Sequence, residues 1–151
     1  MKTSPKKKSQ KIYFHLAFPV HNLDLARRFY VEGLGCRSGR ESKHSLILNL
    51  KGNQIVAQKI KGKISVQKGI YPRHFGLIFA ELRDWQSLLR RAKQKGLTFY
   101  QEAKIRFAAT PIEHRTFFLQ DPSGNLLEFK HYSQIQAIFG KNKRRQVGEE
   151  R

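Results

Sequence analysis

Cysteine is nearly absent from this 151-residue chain: Cys36 stands alone, so neither an intrachain disulfide framework nor a Cys-rich zinc ribbon can form. No stretch approaches the roughly 20 consecutive apolar residues of a membrane helix, and residues 1–11 hold no apolar run to act as a signal sequence. These absences lead us to expect a cytoplasmic protein without a membrane partner. Acidic residues are also scarce, 11 against 30 Lys and Arg, for a formal charge of +19. What remains is 39% hydrophobic, enough to bury the core of one ordinary domain.

The excess charge is spread along the chain. Residues 1–11 carry five Lys and no acid, residues 140–151 five basic residues and two acids, leaving +11 on the part between. A field of this sign gathers anions of any kind, from a small carboxylate to a nucleic acid, and selects none of them. We expect residues 1–11 to be a basic, disordered lead and 133–151 a basic tail, with one domain over 12–132.

Within that domain Ile12–Val20 reads as an apolar strand broken by His15, and Asn22 as the cap of a helix bearing Leu23, Ala26, Phe29 and Tyr30 on one face, stopped by Gly33 and Gly35. Ser45–Leu50 and Gln54–Ile60 are strands about a Lys51-Gly52-Asn53 turn. Residues 61–73, rich in Lys, Gly and Pro, form a linker that could hold a short edge strand. His74–Ala80 is again an apolar strand opened by histidine. Asp84 is placed to cap a helix with Trp85, Leu88, Leu89 and Ala92 on its buried face, ended by Gly96. Leu97–Tyr100, Thr116–Leu119 and Leu126–Tyr132 are strands, Arg106–His114 a loop or ragged strand, and Asp121-Pro122-Ser123-Gly124 has the residue order of a type I turn. The two halves repeat: His15 and His74 are 59 residues apart, and Gly52-Asn53 and Gly124-Asn125 are 72 apart, so the second copy carries an insertion within 102–115. Two β-α-β-β-β modules, about 12–60 and 74–132, make an α+β domain.

Polar groups at repeat-equivalent places on apolar strands need a partner, because an unsatisfied buried imidazole or carboxylate costs several kcal/mol. His15 and His74 form such a pair, and Glu128 lies inside Leu126-Leu127-Glu128-Phe129. Two imidazoles and a carboxylate are donors suited to a divalent ion such as Fe, Mn, Zn, Ni or Co, and three protein ligands leave positions open. Each alone also reads as an ordinary core or surface residue. Cys36 lies beside Arg37, with no base near it in sequence. His21, His44 and His114 read as solvated, and His131 as a surface or interface group.

His15-Leu-Ala-Phe-Pro-Val, Phe29-Tyr30 with Leu34-Gly35, His74-Phe-Gly-Leu, and Phe118-Leu-Gln-Asp-Pro-Ser-Gly-Asn-Leu-Leu-Glu-Phe129 together resemble the vicinal oxygen chelate superfamily, which contains glyoxalase I, extradiol dioxygenases, and fosfomycin and bleomycin resistance proteins. The resemblance covers about 12–132 and implies a curled, cup-shaped mixed sheet, a metal held by His15, His74 and Glu128, and pairing into homodimers. Glyoxalase-type members add a carboxylate from the last strand of the first half. Here that strand offers Gln58 as the nearest candidate, and an amide cannot abstract a proton, which argues against glyoxalase I activity. The expected function is a metal-dependent, dioxygenase-like or lyase/transferase-like enzyme holding a small anionic substrate through two adjacent oxygens, with Arg106 and Lys130 as anion anchors. A metal-free small-molecule binding or resistance protein on the same fold is the alternative, and a basic nucleic-acid-associated protein a second.

Overall fold

The computed structural model describes residues 12–140, so the expectations for 1–11 and for the tail beyond 140 lie outside the described residues. Strand β1 (His15–Val20) leads into α1 (Leu23–Arg27), a π-helical turn (Arg28–Gly33), β2 (Arg37–Glu41), β3 (Ser45–Leu50) and β4 (Asn53–Lys59). After the linker come β5 (Phe75–Ile78), α2 (Leu82–Gln94), β6 (Phe99–Arg106), β7 (His114–Gln120), β8 (Leu126–Tyr132) and a 3-10 turn (Ile135–Ile138). Each half forms one four-stranded sheet, in the orders β1-β4-β3-β2 and β5-β8-β7-β6. In both sheets the first strand runs parallel to the last and the remaining pairs are antiparallel. The repeat in the sequence is therefore a repeat in the topology.

Alternation does the folding work in the first module: Leu46, Leu48 and Leu50 of β3 and Ile55 and Ala57 of β4 turn inward, and Ile47, Asn49 and Val56 between them lie half-buried on the other face. In α2, Trp85, Leu88 and Ala92 recur at three- and four-residue steps and face the same interior. Phe18, Tyr30 and Leu46 from one half and Trp85, Phe117 and Phe129 from the other form a single buried cluster. Asp121 ties the halves. It accepts from Tyr30 Oη, from the backbone N–H of Ser123 and Asn125, and from Asn125 Nδ2, all at 2.8 Å; Asn125 Nδ2 also reaches the Pro19 carbonyl at 2.8 Å. The Asp-Pro-Ser-Gly-Asn turn is thus a clamp on the end of β1 as well as a reversal.

Asn22 caps α1 as expected, accepting from the Leu25 N–H at 3.0 Å. Three details depart from the sequence reading. The cap of α2 is Glu81, in extended backbone, and Asp84 lies in the first turn, where a negative charge favours the helix dipole without capping it. β2 escapes the reading because Arg-Ser-Gly-Arg-Glu is exposed at every position and has no apolar periodicity, as a charged edge strand can afford. β6 continues to Arg106 and β7 begins at His114, so the second-module insertion lengthens a hairpin around residues 107–113. Residues 61–73 contribute no strand.

Candidate metal centre

The second sheet brings two of the three expected ligands together. His74 sits just before β5, and Gly76 lies in register with Glu128 of β8. A Cβ at Gly76 would fall 1.7 Å from the Glu128 carbonyl oxygen, so only glycine lets β5 approach this closely. The approach places His74 Nε2 3.0 Å from Glu128 Oε2. His74 Nδ1 is 2.7 Å from the Ile70 carbonyl, which can only accept, so Nδ1 carries a proton; Nε2 donates to the carboxylate when the ring is protonated, and only the neutral ring bares the Nε2 lone pair to a cation. Phe118 sits edge-on to the imidazole with ring centroids 5.3 Å apart, and Tyr71 lies 5.8 Å away.

Glu128 is buried, at 8% exposure, and has three partners. Thr116 Oγ1 donates to Oε1 at 2.7 Å, fixing one oxygen, while Oε2 faces His74 and, at 3.4 Å, the ammonium of Lys130. Burial alone would push this carboxyl up; His74, Lys130 and Thr116 together hold it below its ordinary value. The hydrogen bond to Glu128 raises the His74 pKa, against burial. Register extends the site across the sheet: Lys104, Thr116 and Lys130 form one cross-strand row, and Arg106, His114 and Tyr132 the next. Arg106 also holds its guanidinium 5.2 Å from the Phe107 ring centroid.

His114 corrects the sequence reading. It is 1% exposed, with Nδ1 3.0 Å from the Ile112 carbonyl and its ring 4.8 Å from Tyr132. Burial lowers its pKa, and Lys130 and Arg106 push it the same way. Its parity with Thr116 was the available signal, since a strand begun two residues earlier puts both on one face. His21 and His44 are exposed as expected, and His131 is half-buried with Nδ1 3.0 Å from the Phe79 carbonyl. Cys36 is buried and its thiol is pushed up to about 12, mainly by burial, which leaves it a packing group.

His15 does not join His74 and Glu128 within one chain. It opens β1, on the other sheet, is exposed, and holds Nδ1 2.7 Å from Gln54 Oε1; no group of three His, Cys, Asp or Glu gathers among the described residues. It lines an open concavity of about 780 Å³ with Tyr13, Phe14, Arg37, Asn49 and Gln54. The separation has a simple cause: the two modules bury their helix-bearing faces against each other, and each sheet turns its other face outward. Gln58, the expected fourth candidate, is exposed and donates to the His44 carbonyl at 3.1 Å; the amide beside His15 is Gln54, its partner in register. Both imidazoles nevertheless share one arrangement, Nδ1 fixed by an acceptor, which directs His74 Nε2 to Glu128 Oε2, the carboxylate oxygen that faces cationic groups. This donor set fits a divalent ion.

Paired open sheets of β-α-β-β-β order, with histidines opening the first strand of each and a glutamate in the last, define a vicinal-chelate protein. The sequence profile of the Glyoxalase/Bleomycin resistance protein/Dioxygenase superfamily matches residues 12–129, and the chain belongs to that superfamily. Among solved structures it is similar to a glyoxalase/bleomycin resistance protein/dioxygenase from Alicyclobacillus acidocaldarius, at 39% identity and a TM-score of 0.81, over 87% of this chain and 99% of that one. The fold is shared more distantly with the fosfomycin resistance protein FosX from Mesorhizobium loti, at 14% identity and a TM-score of 0.63 over 87% and 99% of the chains. An integron cassette protein from the mobile metagenome of V. cholerae matches at 21% identity with a TM-score of 0.57 over 88% and 98%. No curated protein matches the chain.

Proposed function

We propose that this protein is a divalent-metal-dependent enzyme of the vicinal-chelate type, binding a small anionic substrate through two adjacent oxygens. The supporting observation is the oriented pair: His74 with Nδ1 committed to Ile70, Nε2 directed at Glu128 Oε2, and Glu128 Oε1 held by Thr116. Such restraint on both donors is the outer-shell pattern of metal ligands. His15, exposed and likewise oriented by Gln54, is the third ligand, delivered by a second copy of the chain whose first sheet closes over the second sheet of its partner. That assembly joins the two outward concave faces and encloses the substrate between them.

When bound, the ion supplies Lewis-acid polarisation of the two substrate oxygens. The chain's own residues do the rest. Lys130 and Arg106 stabilise negative charge, Phe118 and Tyr71 shield the His74 ring, and His114, buried and held neutral at physiological pH, adds no cation of its own. Neither Gln58 nor Gln54, which bonds His15, can take a proton as a glyoxalase-type base must, so the chemistry favoured is addition or oxygenation at a polarised centre.

Metal analysis of wild type and His74→Ala tests the reading. Wild type should hold close to one equivalent per chain and His74→Ala less than a tenth of that. A metal-free wild type after reloading would instead support the binding-protein alternative. Mixing His15→Ala with His74→Ala, unfolding and refolding together, tests the shared centre: random pairing leaves one intact site in each mixed dimer, so about a quarter of the wild-type metal should return. No recovery on mixing would reject sharing between copies.

A further inference from the structure

Lys130 presents an arrangement that a simple anion anchor does not need. Its ammonium, with the side chain 19% exposed, is spent on Glu128 Oε2, the same oxygen that faces His74 Nε2, while Thr116 occupies Oε1. Glu128 lies in register with Phe118, in the row beside the two that carry Lys104 and Arg106. Glu113, the nearest other acid along β7, is turned to the Ala109 N–H at 2.8 Å and to Ser133 Oγ at 2.7 Å.

Resting on the metal-centre reading above, we infer that Lys130 is a replaceable counter-ion of Glu128, that it makes cation and substrate binding mutually dependent, and that the substrate class is a dianion such as a phosphate ester or a dicarboxylate. The charges carry the argument. One Glu128 oxygen cannot neutralise a divalent ion and an ammonium together, so a cation on Oε2 strips Lys130 of its partner and competes with it. The centre then holds the ion and Lys130 against one carboxylate, an excess of two positive charges, which a dianion offsets and a monoanion does not. By linkage, the anion must tighten the cation as much as the cation tightens the anion.

The test uses the full chain, Mn2+ as the cation, its free-ion electron paramagnetic resonance signal as the readout, and inorganic phosphate as the dianion. Wild type should bind Mn2+ about tenfold more tightly in phosphate than in chloride, and acetate should give little of this gain. Lys130→Met should bind Mn2+ more tightly than wild type in chloride and keep less than about a threefold phosphate gain, while Lys130→Arg should keep the wild-type gain. A full gain in Lys130→Met, or wild type that binds Mn2+ with equal affinity in chloride and phosphate, overturns the inference; the second outcome does so whether or not the variant folds. Failure of wild type to bind Mn2+ at all, or equal binding by His74→Ala, would instead strike the metal-centre reading.

Discussion

Two side chains near the centre sit at odds with their surroundings, and each makes a measurable difference. Gln101, in register with Phe118, has a buried Oε1 without a hydrogen-bond partner. An orphaned amide oxygen costs about 1–3 kcal/mol, so Gln101→Met, similar in volume and free of the unmet acceptor, should raise stability by about 1 kcal/mol in urea unfolding. A loss of that size would show that the amide is satisfied in solution. His114 is the second. Its folded-state pKa is held below the ordinary 6.5, so the native state binds fewer protons than the unfolded chain as pH falls through that value. The resulting penalty is absent above the unfolded pKa and complete below the folded one. His114→Asn keeps a donor for the Ile112 carbonyl but cannot titrate: it should be less stable than wild type at about pH 7.5, with the deficit narrowing toward about pH 5. A deficit independent of pH would mean that His114 is not held neutral by the fold.

At the scale of elements, one strand contact sets the His74–Glu128 geometry and one turn ties the modules. Gly76→Ala would drive a methyl into the Glu128 backbone, part β5 from β8 and move His74 off the carboxylate. It should cost about 2 kcal/mol or more and weaken metal binding together, whereas a stable variant with intact metal affinity would deny that the strand contact sets the geometry. Asp121→Ala strips Tyr30 Oη and three N–H donors of their acceptor where the modules meet, and should cost about 3 kcal/mol against less than about 0.5 for the exposed Asp24→Ala. Equal losses would remove the clamp. The helices, six of the eight strands and the turn at Asp121 were legible because hydrophobic periodicity and turn chemistry are local. β2 was not, since an edge strand of charged residues carries no period, and β6 was read short because bulges interrupt its pairing with β7. His74, Glu128 and Lys130 were legible as polar breaks and by parity on β8. The partnership of His15 with Gln54 was not, because it depends on parallel register between strands 39 residues apart, and His114 was missed because its burial depends on Tyr132 arriving from the next strand.

For the whole molecule, the proposed ligands His15 and His74 belong to different sheets, so the proposed centre would make metal occupancy a property of the assembly. If His15 of one copy completes the centre of another, the ion binds only the paired state. Pairing must therefore tighten with metal, and metal affinity must rise with protein concentration. Sedimentation velocity at a fixed, low protein concentration should show Mn2+ shifting the chain toward dimer, with no shift for His74→Ala or His15→Ala. Thermal unfolding should gain more from metal in concentrated than in dilute protein. The +11 carried by the central part of the chain opposes pairing through self-repulsion, so moderate salt should aid dimerisation while weakening the capture of an anionic ligand. That opposition separates the shared centre from a self-contained one. A centre complete within one chain would bind metal equally at every dilution, and salt would act on the anion alone.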